Sequence, residues 1–269
     1  MKVPDAPTPS GSRDVASFKD HFSGVADAYA AARPEYPDAL FDALAAVVPS
    51  DAQVWEPGCG SGQATRGLAQ RFARVHASDP SAQQIERHWG RAAPPSITVA
   101  VEPGERTTLA DASVQLVAVA QALHWFDRAR FFAECRRVLA PGSVLAAWGY
   151  GDFLVPDGMA VAVADFRTQI EPHWPPERAQ IDARYAGYDW PFPPLPAPEL
   201  SLQARWTLPR FLGYLASGSA SARCIEATGE DPVARHTAAL AASWGDAETT
   251  RTITWPLFLH LRRKPDIRL

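Results

Sequence analysis

Three groups of residues in this chain have the types and spacing to do chemistry. The first is Glu56-Pro-Gly58-Cys-Gly60-Ser-Gly62, a glycine-rich turn. It lies between Gln53-Val54-Trp55-Glu56, which reads as a short buried strand, and a segment with Ala64, Leu68 and Phe72 at helical spacing. Glycines there let the main chain turn tightly and let a ligand approach without meeting a β-carbon. A dinucleotide fingerprint would need its third glycine at Gln63, and no Lys-Ser/Thr pair follows as in a Walker loop. The second group is Asp79, about 20 residues past the loop, where a carboxylate can accept from both hydroxyls of a ribose. The third is Gln121-Ala-Leu-His124-Trp125-Phe126-Asp127, directly after the apolar run 114–120.

Each group has a plainer alternative. The loop can be a tight turn packing on itself, Asp79 before Pro80 a helix cap, and Trp125 a core residue. The offset of Asp79 from the loop favours a ligand. For His124, a general base and a structural imidazole both stay open.

These residues need elements to position them. The spacing predicts a helix over 37–48, a strand over 53–56, and a helix starting at the glycine loop. Strands at 74–79 and 96–101 flank a helix over 81–90. The continuous apolar run 114–120 reads as a strand covered on both faces. A helix capped by Asp127, carrying Phe131, Cys135 and Val138, ends at Pro141-Gly142 before a strand over 143–148. Alternating strands and helices predict an α/β fold, a Rossmann-like doubly wound sheet with ligands at the strands' carboxyl ends. That places Gly104 and Glu105 beside the other candidates.

After residue 150 the rhythm changes. Helices are expected over 159–170, 208–216 and 232–244, and a strand over 249–262 that Pro256 confines to an edge or a bulge. The chain thus divides into a disordered tail (1–14), a core opening with N-terminal helices (15–150), an insertion (151–200) and a return to the core (201–269). The stretch 172–198 is rich in proline and aromatics, notably Trp174, Trp190 and Phe192. It is expected to stand over the site as a stiffened, substrate-covering lid.

At 269 residues, 46% apolar and 21% charged, the chain can bury a large core, which excludes wholesale disorder. A net charge of -4 offers no basic surface for nucleic acid. Three cysteines without a CxxC pair argue against a disulfide framework or a zinc site, and His76 and His88 have no third metal ligand at suitable spacing. The first 14 residues lack the apolar core of a signal peptide, and no stretch could span a bilayer, so a cytoplasmic protein is expected.

Glu56-Pro-Gly-Cys-Gly-Ser-Gly followed by Asp79 resembles the S-adenosylmethionine (SAM) site of the class I methyltransferases. Phe22-Ser-Gly-x-Ala-x-x-Tyr29-x-x-x-Arg33-Pro-x-Tyr36-Pro, the 121–127 motif, Phe132 to Gly142, Leu212 to Ala220 and Trp255-Pro-Leu are similar to a small-molecule subfamily. That subfamily, with a type 11 methyltransferase domain, includes trans-aconitate methyltransferase-like proteins, and the match spans residues 18–262. It implies a sheet of about seven strands, mostly parallel with an antiparallel edge strand, and a lid after the fifth.

The resemblance implies that Gly58, Gly60 and Gly62 pass under the methionine part of SAM, with Glu56 near its amino group. Asp79 would hold the ribose, Gly104 and Glu105 would flank adenine, and Gln121 would close the methionyl side. Tyr29 and Arg33 would fold over the site. Trp125, Trp174, Trp190 and Tyr214 are the candidate substrate-pocket residues. Members usually carry Asp at Gln115, which sits at a strand's start, and Trp at Gly218, where glycine would widen the pocket.

The implied reaction is in-line methyl transfer to a small molecule, with a carboxylate or hydroxyl oxygen favoured, releasing S-adenosylhomocysteine. A carboxylate needs no base, whereas an alcohol does. The alternatives are a protein or nucleic-acid methyltransferase and a non-catalytic SAM-binding protein. No metal, membrane or nucleic acid is expected, and the oligomeric state stays open.

Overall fold

The alternating apolar runs become the parallel strands β1 (Gln53–Pro57), β2 (Arg74–Asp79), β3 (Ile97–Val101), β4 (Val114–Ala120) and β5 (Leu139–Tyr150). The computed structural model describes residues 34–89 and 95–266. The expected tail and the candidate residues Tyr29 and Arg33 lie outside the described residues. Three further strands, β6 (Pro194–Leu195), β7 (Leu200–Trp206) and β8 (Arg251–Arg263), complete an eight-stranded sheet. Its order is β3-β2-β1-β4-β5-β8, with β6 and β7 both on the far side of β8. The sheet thus has eight strands, in line with the expected number of about seven. Only β8 runs against the rest.

Helices cover both faces of the parallel half: α1 (Asp38–Ala45), α2 (Thr65–Ala69), α3 (Ala82–Arg87) and α4 (Arg128–Val138). The later helices are α5 (Ala160–Ile170), α6 (Arg178–Asp182), α7 (Leu208–Ala216), α8 (Ser219–Thr228) and α9 (Pro232–Trp244). β4 shows why its sequence is apolar from Leu116 to Ala120. Leu116 and Ala118 join the cluster under α1 and α5, while Val117 and Val119 join the opposite cluster with Phe131, Cys135 and Val138 of α4. Side chains alternate across a strand, so a strand covered on both faces must be apolar at successive positions. Asp127 caps α4 by accepting from the Arg130 amide.

Several expectations need correction. The helix after the glycine loop starts only at Thr65, because residues 60–64 are spent in turns. α4 ends at Val138, and Pro141-Gly142 lies inside β5, where Gly142 takes a φ of +76° at an irregular stretch of the strand. β8 is not an edge strand. β5 pairs with it only from Leu257 onward, and before that only Leu154 bridges to Thr254 on that face. The Thr254 amide donates to Leu154, and alternate residues donate to the same side, so the N–H that Pro256 lacks would fall in the gap between these pairings.

The proline-aromatic stretch splits in two. Trp174 stays at the site end of the sheet with α5 and α6. Trp190 instead packs against Phe132, Tyr188 and His260, and Phe192 is buried in the same cluster on the α4 face. Their rings cover sheet that would otherwise meet water, which is core packing and not a wall for substrate. On the opposite face, α5, α7 and α9 pack around Phe211, Trp244 and Trp255. The indoles of Trp244 and Trp255 donate to the Thr249 carbonyl and the Tyr214 hydroxyl, both at 2.9 Å. Much of the tryptophan content is therefore structural.

Candidate active site

The parallel order reverses between β1 and β4, and the glycine loop leaves β1 at that switch. Gly58, Gly60 and Gly62 all have positive φ, at +70°, +55° and +92°. They differ in their surroundings. A β-carbon at Gly62 would lie 2.5 Å from His88 Nε2, whereas one at Gly60 would meet nothing within 4 Å. Gly60 is thus the point where the main chain is open to a ligand.

Asp79, at the end of β2, braces this loop. One carboxylate oxygen accepts from the Gly60 amide at 3.0 Å and the other from the Ser81 amide at 2.9 Å. A carboxylate oxygen can accept more than one hydrogen bond.

Glu56 lies beneath the loop and is 1% exposed. Its Oε2 accepts from the Thr65 hydroxyl at 2.5 Å, and that hydroxyl also lies 3.0 Å from His88 Nε2. Among the described residues, Glu56 Oε1 has no hydrogen-bond partner. Burial, only partly offset by the Thr65 bond and reinforced by Asp79, pushes its carboxyl up from the ordinary 4.5 to about 8. Burial also lowers His88 to about 4, so both groups are predominantly neutral at pH 7. No local pattern marks this Glu56–Thr65–His88 set, since its members come from three separate parts of the chain.

The remaining candidates are distributed as follows. Gly104 packs on Phe126, whose ring also faces Gly58, so this ring joins the loop after β1 to the loop after β3. Glu105 accepts from the Asp127 amide at 2.7 Å. Gln121, at a φ of +53°, uses its side chain to bind both backbone groups of Tyr150, at 2.8 and 2.9 Å. That pair of bonds ties the ends of β4 and β5 together. Phe126 had a visible signal, because it falls within the 121–127 motif, yet its bridging contacts depend on distant loops.

Beyond β4 and β5 lies a cavity of about 130 Å³ lined by Gln121, His124, Trp125, Trp174, Tyr214 and Gly218, among others. Trp190 is not part of it. His124 Nδ1 lies 3.2 Å from the Tyr185 hydroxyl, and burial, aided by the positive charge of Arg178, lowers its ring to about 4. Burial pushes the Tyr185 hydroxyl up, so it keeps its proton. Tyr185 and its neighbour Arg184 both have positive φ, 56° and 50°, an uncommon conformation for non-glycine residues. Arg178 lines the cavity with its guanidinium 4.4 Å above Trp174 and paired with Asp152 and Asp182 at 2.8 and 2.7 Å. Sequence spacing had singled out none of Tyr185, Arg178 or Asp152.

Among the described residues, no group of three His, Cys, Asp or Glu could hold a metal, and no helix is long and apolar enough to cross a membrane. The open main chain at Gly60, the unpaired buried oxygen of Glu56 and the carboxylate at the end of β2 together suit a nucleoside carrying an amino acid. The fold is that of an α/β protein whose candidate residues gather at the carboxyl edge of the parallel strands, beside a partly open cavity.

Known proteins make the class specific. Residues 55–147 match the family model described as a methyltransferase domain. A solved structure from Anaeromyxobacter dehalogenans, assigned as a type II methyltransferase, is 43% identical; the similarity covers 87% of this chain and 99% of that one, at a TM-score of 0.81. A protein of Dictyostelium discoideum assigned as a methyltransferase is 28% identical over 96% of this chain and 98% of its own. The dimethylglycine N-methyltransferase of Parasynechococcus marenigrum is 35% identical over 51% of this chain and 50% of its own. The chain belongs to the class I SAM-dependent methyltransferases, and it is an enzyme of that family.

Proposed function

We propose that this enzyme methylates an oxygen of a small-molecule acceptor held in the cavity beside Gln121, His124 and Trp125. The observation that carries this reading is the cavity itself. It is only partly open to solvent, carries several aromatic rings, among them Trp125, Trp174 and Tyr214, and its volume of about 130 Å³ suits a compact acceptor better than a polymer chain. When bound, SAM supplies a methyl group on a positive sulfur. On this reading Asp79 accepts from the ribose hydroxyls, Glu56 faces the amino group, the glycines pass beneath the methionyl chain, and Gly104 and Glu105 flank adenine. Gln121 shapes the methionyl side through its hold on Tyr150.

His124 bears on the choice of acceptor. A hydroxyl must lose a proton during transfer, and a neutral imidazole with a pKa near 4 is a weak base at pH 7. On this reading the Tyr185 hydroxyl donates to Nδ1, 3.2 Å away, so the ring proton sits on Nε2 and His124 is a hydrogen-bond donor. A donor suits an acceptor that is already an anion, so a carboxylate is favoured over a hydroxyl. Excluding water around a negative oxygen and a positive sulfur favours their mutual neutralisation.

The test is a metabolite panel incubated with enzyme and SAM, read by the mass of methylated products. Carboxylic-acid esters are the expected products. A methyl group appearing only in the macromolecular fraction of an extract would refute the reading. The site assignment is tested separately: Asp79→Ala should abolish S-adenosylhomocysteine binding in calorimetry, and retained affinity would remove Asp79 from the site.

A further inference from the structure

Glu56 is wholly buried and poorly solvated by its surroundings. A carboxylate there would have a single donor, the Thr65 hydroxyl on Oε2. Among the described residues its other oxygen has no partner, although a carboxylate has room for several donors. The charged neighbour that acts on it is Asp79, of the same sign. The Cys59 thiol is pushed well up by burial and by those two carboxyls, so it stays neutral. His88, on the far side of Thr65, is also neutral and supplies no positive charge. Among the described residues nothing compensates an ionised Glu56, and an uncompensated buried charge is strongly unfavourable.

An incoming ammonium changes that balance. It brings the opposite charge and up to three donors to the unpaired oxygen. We infer that Glu56 carries a proton until the cofactor's ammonium enters, and then releases it to solvent, so that cofactor uptake is coupled to proton release. The O–H bond of the carboxyl breaks, its electron pair stays on oxygen, and the resulting carboxylate pairs with the ammonium. Thr65 serves both states. Its hydroxyl can accept from the protonated carboxyl or donate to the carboxylate, with His88 Nε2 completing the set at 3.0 Å.

This inference rests on the reading that the methionyl amino group lies at Glu56. The experiment is calorimetry of S-adenosylhomocysteine binding to the whole chain, in buffers of different ionisation heat, between pH 6.0 and 7.5. With a free carboxyl near 8, wild type should release nearly one proton per ligand at pH 7, and its affinity should rise about 20-fold over that range. His88 and His124 titrate lower, outside this window. Glu56→Gln should bind with no proton release and a flat pH profile. An analogue with hydrogen in place of the amino group should bind wild type without proton release. Wild-type binding with no proton release would overturn the coupling while leaving the cofactor site intact. No binding by the folded protein would overturn the site assignment itself, and the coupling with it.

Discussion

Replacing Glu56 by glutamine should stabilise the cofactor-free protein, and by an amount that grows with pH. In the unfolded chain this carboxyl ionises near its ordinary 4.5, whereas in the fold burial raises it to about 8. Between these values the folded state holds a proton that the unfolded state has lost. Stability therefore falls as pH rises through that window, by up to about 1.4 kcal/mol per pH unit. From pH 5 to pH 8 the wild type should lose roughly 3 kcal/mol through this one group. Glutamine has no proton to lose, and its carbonyl can still accept from Thr65. Urea denaturation of both proteins at pH 5, 6, 7 and 8, without cofactor, measures the gap directly. Every other titratable group is common to both proteins, so its contribution largely cancels in the difference. A gap that stays flat, or that turns against glutamine as pH rises, would refute the reasoning.

Other substitutions separate packing from ligand contact. Gly62→Ala puts a β-carbon against His88 and Trp89 at positive φ, and should cost about 1–3 kcal/mol in denaturation. Gly60→Ala meets no such neighbour and carries only the backbone strain of its φ of +55°, so it should cost less stability than Gly62→Ala while weakening S-adenosylhomocysteine binding in calorimetry. Tyr185→Phe removes the hydroxyl beside His124 Nδ1 and should cost about 1–3 kcal/mol, with a change of imidazole tautomer visible in nitrogen NMR shifts. Gly218→Trp has an ordinary backbone of φ -69° to accept it. It should fill the cavity, leaving cofactor affinity in calorimetry intact while acceptor turnover falls.

The sheet was legible because burial on both faces leaves a mark in the sequence itself. Val114–Ala120 begins and ends where its apolar run does. The glycine loop and Asp79 were legible for a similar reason, since their roles depend on a local turn and a strand end. Gln121 shows where this kind of reading stops. Its position was apparent, but its side chain is committed to Tyr150, 29 residues away, and no local pattern records that bond. Arg184 and Tyr185 adopt left-handed backbone without being glycine, so composition gave no hint of the turn that places Tyr185 under His124. Trp190 misled for the opposite reason. An aromatic residue among prolines has the same composition in a lid as in a packed connection, and only the pairing of β6 with β8 draws it to the α4 face.

The reversed strand also bears on how the protein is made. β5 has β4 on one side, and its other side is filled by Leu257–Arg263 of β8. These partners lie roughly 100 residues downstream, so closing the pair is entropically costly and late in synthesis. Until then Val144–Tyr150, an uncharged stretch of seven residues, presents unpaired backbone of the kind that recruits other chains. The helices between the two strands must emerge from the ribosome before that exposure ends. A truncation before β8 would thus remove no predicted cofactor contact, yet it should leave a protein that aggregates during synthesis. β8 acts as the seal that ends this exposure once it has emerged and paired.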